Sequence, residues 1–85
     1  MTHHASSSFR VAYNALPEFA QRVADRSFEL LKTDPKHPSL HLKKIGRYWS
    51  VRAGLHVRAL AIEVDGGLLW FWIGSHAEYD TLIRS

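Results

Sequence analysis

Five side chains in this sequence can bind and act on an anion: Lys43, Arg52, Arg58, His76 and Tyr79. A guanidinium stays charged at physiological pH and offers paired donors, so Arg52 and Arg58 suit two oxygens of one anionic group. His76 carries an imidazole, which exchanges protons near neutrality without special burial. Tyr79 follows it by three residues, so a helical turn would bring both to one side, where the phenol could stack on a ring or assist proton transfer. Lys43 alternates outward with His41 and supplies a point charge. Lys44 points elsewhere or lies at a bulge, and Arg47 sits in a turn, where it steers rather than reacts. The competing reading is scaffold: Arg58 anchoring Glu63, Glu78 or Asp80, His76 capping a helix, and Tyr79 packing under a sheet.

The cations are concentrated. Between Lys32 and Arg58 lie seven basic residues against the single acid Asp34, while the rest of the chain holds four basic residues and seven acids. The net charge is only +3, yet the middle third carries a field that attracts polyanions or an acidic partner. The blander alternative is a solvated charged surface. There is no cysteine, which excludes disulfides and thiolate metal sites. His37 and His41 have the i, i+4 spacing of a zinc pair, but Pro38 opposes the helix that pair needs, so no metal or cofactor is expected. No apolar run approaches the roughly 20 residues that span a bilayer, and Met1–Ser8 lacks the apolar stretch of a signal peptide. The expectation is a cytoplasmic protein with no membrane partner.

These residues need elements to hold them. At 85 residues the chain reads as one domain over 1–85, with residues 1–5, including His3 and His4, as a disordered arm. Ser6, Ser7 and Ser8 can cap a short first helix through Tyr13. Pro17 suits the first turn of a second helix, which carries an apolar stripe from Leu16, Phe19 and Ala20 through Val23, Ala24 and Phe28 to Leu30 and Leu31. Asp34-Pro35 and His37-Pro38 end it. Strands follow over Leu40–Ile45, Tyr48–Ala53, His56–Val64 and Leu68–Ile73, with Asp65-Gly66-Gly67 as a hairpin turn. The last strand is apolar on both faces, which suits a central position; Trp70 and Trp72 within it, like Trp49, read as core rather than base-stacking platforms. Gly74-Ser75 breaks that strand, and His76–Arg84 makes a short terminal helical turn or two. The predicted architecture is α+β: two N-terminal helices packed on a mostly antiparallel four-stranded sheet.

Three segments then line up in order: Leu16-Pro17 through Asp34-Pro35-Lys36-His37-Pro38-Ser39-Leu40; His41-Leu42-Lys43-Lys44-Ile45 with Ser50-Val51-Arg52-Ala53-Gly54 and Val57-Arg58-Ala59-Leu60; and Trp70-Phe71-Trp72-Ile73-Gly74-Ser75-His76-Ala77-Glu78-Tyr79-Asp80. Together they resemble the RelE/ParE superfamily of bacterial toxins, over about residues 9–83. Two departures stand out. Val57 occupies a position where an aromatic residue commonly precedes the arginine, and the stretch before Pro17 reads as helix where many members begin with a strand.

The resemblance implies a concave basic sheet surface and an antitoxin wrapped around it. In the RelE branch that surface cleaves mRNA in the ribosome; in the ParE branch the toxin inhibits DNA gyrase instead. An inactive homologue is the third reading. Metal-independent RNA cleavage needs a base for the 2′-hydroxyl, cations for the phosphorane and an acid for the leaving 5′-oxygen. On that implication His76, Arg58, Arg52, Tyr79 and Lys43 are the candidate catalytic residues. Lys43, Lys44, Arg47, Arg52 and Arg58 are the candidate nucleic-acid contacts, with the cognate antitoxin and ribosome-bound mRNA as partners.

Overall fold

The Ser6–Ser8 cluster starts the first helix as its chemistry requires. In the computed structural model, which describes residues 2–84, Ser6 Oγ accepts from the backbone N–H of Phe9 at 3.2 Å and opens α1, Ser7–Asn14. Ser8 Oγ donates to the Phe71 carbonyl at 2.8 Å and fastens that helix to the sheet. Pro17 directly precedes α2, Glu18–Thr33, whose Ala20, Ala24 and Leu31 are buried while Phe19 and Phe28 of the same stripe stay 65% and 41% exposed. The Tyr13 hydroxyl donates to Asp25 at 2.7 Å and ties α1 to α2. After Asp34 a single 3₁₀ turn, Pro38–Leu40, leads into the sheet, with His37 Nδ1 accepting from the Ser39 N–H.

Four strands form an antiparallel meander: β2 (Lys43–Ile45), β3 (Tyr48–Arg52), β4 (Val57–Val64) and β5 (Gly67–Ser75). A fifth strand corrects the sequence expectation. Thr2–Ala5, read from sequence as part of a disordered arm, is β1 and pairs in parallel with β5. Met1, the first residue of that expected arm, lies outside the described residues. The sheet is therefore five-stranded and mixed, in the order β1-β5-β4-β3-β2.

Two tertiary features hold β1 in place. A Cβ built on Gly67 would lie 1.9 Å from the Thr2 carbonyl oxygen, so only glycine lets the strands approach this closely. His3 stacks on Trp70, accepts its indole N–H at 3.0 Å and meets the Phe28 ring edge-on. Neither feature can be read from Thr2-His3-His4-Ala5 alone.

The C-terminal end differs as well. Gly74-Ser75 does not break the last strand, which runs through Ser75, and α3 (His76–Arg84) is a full helix of nine residues rather than a short turn. A Cβ on Gly74 would sit 2.4 Å from the Trp72 ring, so here glycine makes room for an indole instead of ending a strand. Ser75 and Glu78 form a reciprocal capping box: Glu78 Oε1 accepts from the Ser75 N–H at 3.2 Å and Ser75 Oγ accepts from the Glu78 N–H at 3.1 Å. That Ser-x-x-Glu pair stabilises the extra turns.

A bulge sets which aromatic faces which layer. Leu60 pairs with Trp72 but Ala61 pairs with Trp70, leaving Phe71 as the extra residue. Trp70 and Ile73 thereby join Val51, Ala53, Ala59 and Ala61 in the core under α1 and α2. The other face carries the row Ser50, Leu60 and Trp72, and α3 packs there.

Candidate functional site

Strand register creates the site. Arg52 and Arg58 stand directly opposite each other at the open ends of β3 and β4, with Gly74 next in the row. Like charges so placed repel, and a fold tolerates them where something else gains. Arg58 donates to the Val57 carbonyl at 3.0 Å and, at 3.5 Å, to that of Gly54. Among the described residues no acid lies within ion-pair distance of either guanidinium. The Nε of Arg52 is buried and has no hydrogen-bond partner among them. Burial first, then the facing Arg52 charge, pushes the Arg58 guanidinium below its usual pKa, with Tyr79 and Asp80 opposing. The scaffold alternative, in which Arg58 anchors an acid, is not what this geometry shows.

The start of α3 brings the titratable group to these cations. His76 donates its backbone N–H to the His56 carbonyl at 2.8 Å, which locks the helix to the beginning of β4. Its Nδ1 lies 3.3 Å from Asp80 Oδ2, one helical turn on. The carboxylate of Asp80 thus stands beside the imidazole at ion-pair distance. Tyr79 is buried, and its hydroxyl accepts from Ser50 Oγ at 3.0 Å, itself one of the most buried groups in the chain. The phenol is thus part of the cleft floor. Lys43, in register with Ser50, stands exposed at the rim.

Lys43, Arg52, Arg58, His76 and Tyr79 line one cleft of about 310 Å³, together with His41, Ser50 and Asp80. Lys44 and Arg47 do not reach it. Lys44 is in register with Trp49 on the opposite face and pairs with Glu63 at 3.1 Å. The Trp49 indole N–H also donates to Glu63 at 2.8 Å, and these two donors, Trp49 first, hold the Glu63 carboxyl below the usual range. Arg47 lies over the Tyr48 ring in the turn between β2 and β3. Sequence reasoning missed Ser50, His41 and the tie between His76 and Asp80. The last was legible as an i, i+4 pair once a helix is granted there.

Chemically the cleft offers two guanidiniums with no acid partner among the described residues, a lysine, and an imidazole beside Asp80, which suits an anion whose reaction moves a proton. No group of three or more His, Cys, Asp or Glu able to hold a metal occurs among the described residues. No described helix is long and apolar enough to cross a membrane.

No family model matches the sequence, and no curated protein does. Solved structures do. A chain of the RelB–RelE antitoxin–toxin complex from Methanococcus jannaschii matches with a TM-score of 0.69 at 14% identity, over 92% of this chain and 96% of that one. A copper-bound mutant toxin from Helicobacter pylori gives 0.62 at 19% identity, over 92% and 97%. The isolated RelE toxin of E. coli gives 0.62 at 9% identity, over 96% and 95%. At such identities the likeness is one of fold, and the fold is that of the RelE-like toxins.

Proposed function

We propose that this protein is the toxin of a bacterial toxin–antitoxin pair and cuts mRNA on the ribosome without a metal. The observation that carries this reading is the Arg52–Arg58 row, unpaired with any acid among the described residues and set beside the His76–Asp80 pair. Like charges directly opposite each other on a sheet are destabilising. A phosphodiester placed between them relieves the repulsion and offers oxygens to both guanidinium ends.

The reaction follows from that placement. A base takes the proton of the 2′-hydroxyl, the freed oxygen attacks phosphorus, and the 5′-oxygen leaves with a proton, giving a 2′,3′-cyclic phosphate. Arg52 and Arg58 hold the charge of the phosphorane, and His76 makes one of the two proton transfers. Lys43 guides the backbone from the rim. Tyr79 and Ser50 fix the floor, so Tyr79 acts by position. Lys44 and Arg47 lie outside this chemistry and at most add to the field that draws RNA in.

Asp80→Ala should lower cleavage about tenfold, because the imidazole loses the carboxylate beside its Nδ1. The pair is partly exposed, so stability should change by less than about 1 kcal/mol. Single-turnover rates beside thermal melts separate these two effects.

The neighbouring RelB–RelE structure is an antitoxin–toxin complex, which supports an antitoxin partner here. The basic middle third fits an acidic segment that folds on contact. Induction of the protein in a bacterial host tests the reading. Amino-acid incorporation should stop first while plasmid supercoiling holds. Arrest with relaxed plasmid would replace the nuclease with a gyrase inhibitor, and unimpeded growth would mark an inactive homologue.

A further inference from the structure

A second cavity lies on the opposite side of the sheet from the arginines, between α1, α2 and the core strands, with a volume of about 330 Å³. Protein interiors pack as tightly as organic crystals, and voids larger than a water molecule are few. A dry apolar cavity of about 150 Å³ already admits benzene, and small-molecule pockets begin near about 300 Å³. The space here comes from residue choice. Ala24, Ala53 and Ala59 line it and are each buried, where a larger aliphatic side chain would fill it.

We propose that this cavity is a binding site for a compact, uncharged aromatic molecule of one or two rings. Tyr13, Phe28 and Trp70 contribute rings to its wall, and His3 stacks on Trp70 there. The polar hydrogens of its aromatic wall are committed: Trp70 Nε1–H is given to His3 at 3.0 Å and the Tyr13 hydroxyl to Asp25 at 2.7 Å, while Ser27 and His4 add a few polar atoms to the lining. A sugar or nucleotide entering this space would leave most of its many polar groups unpaired against a wall of rings and alanines, whereas a one- or two-ring aromatic carries at most one or two such groups. The charged side chains that touch the cavity, Arg10 and Asp25, are exposed at its mouth. The sheet separates this site from the arginine cleft, so the inference stands independently of the nuclease reading.

Indole is the probe, titrated into the full chain while the alanine methyl resonances are followed by NMR. Saturable ring-current shifts at Ala24, Ala53 and Ala59, with Kd below about 1 mM, are expected. Ala24→Leu should fill the space, weaken indole binding about tenfold or more, and raise the melting temperature. Ala59→Val gives the same test from the sheet side should the helix variant misfold. Absence of saturable shifts in the wild-type chain would overturn the proposal. So would equal indole binding by a filled, folded variant.

Discussion

Arg58→Ala should lower mRNA cleavage by about 10²–10³-fold while leaving the protein folded. Arg58 is half-buried, donates only to backbone carbonyls and faces Arg52 across the β3–β4 ladder. Removing it breaks no ion pair among the described residues and relieves a like-charge repulsion. The aliphatic stem is lost, which offsets part of that relief. Stability should therefore stay within about 1 kcal/mol of wild type, and a gain would be no surprise. Arg58→Lys keeps the charge but loses the fork, so it should recover only part of the rate. Rates from defined transcripts and melts on the same preparations check both halves. Undiminished cleavage by a folded Arg58→Ala would remove the guanidinium row from the mechanism.

Trp70→Ala should cost about 3–5 kcal/mol of stability. Trp70 is buried between β1, α1 and α2, and its indole N–H is the group that holds His3. A domain of this size has only about 5–15 kcal/mol to lose, and each kcal/mol shifts its melting point by about 4–8 °C. The variant should be near unfolding at 37 °C, as urea or thermal denaturation would show. Trp70→Phe keeps most of the bulk but leaves His3 Nδ1 without its donor, at a cost of about 1 kcal/mol. The loss should appear as faster amide exchange in Thr2–Ala5 before any global change.

The same contact gives stability a pH dependence. Burial, with nearby positive charge, lowers the His3 pKa from its ordinary value of 6.5. The unfolded chain then binds the proton more readily than the folded one, so this contribution is complete above 6.5 and is lost as pH falls through the folded pKa. A His3→Asn variant should lack that slope.

Much of this was legible in the residues, and what was not has definite causes. The amphipathic stripe of α2 and the alternation of β3 and β4 fixed the layers, because helix and strand periods differ. The Asp65-Gly66 turn marked the β4–β5 hairpin. β1 was invisible because nothing in Thr2-His3-His4-Ala5 alternates; its position comes from a glycine and a tryptophan more than 60 residues away. Phe71 as a bulge residue could not be seen either, since a run apolar on both faces hides a shift of register. The length of α3 was within reach through Ser75-His76-Ala77-Glu78, but Gly74-Ser75 read more strongly as a stop.

At the cleft, strand alternation was legible and the docking of the start of the last helix was not. Arg52, Arg58, Lys43 and His76 meet because register and the start of α3 place them there. Lys44 points to the other face from Lys43, as the strand alternation implied, because a step of one residue reverses the face. Tyr79 does sit near His76, yet the same helical turn that brings it close also buries it against Ser50.

The central claim is that this cleft cuts RNA with His76 moving a proton. Primer extension on a defined mRNA in a reconstituted translating system tests it, with wild type compared to a folded His76→Ala variant. Discrete ribosome-dependent cuts that the variant loses are the expected result. No cuts by a wild-type protein that still arrests growth would contradict it.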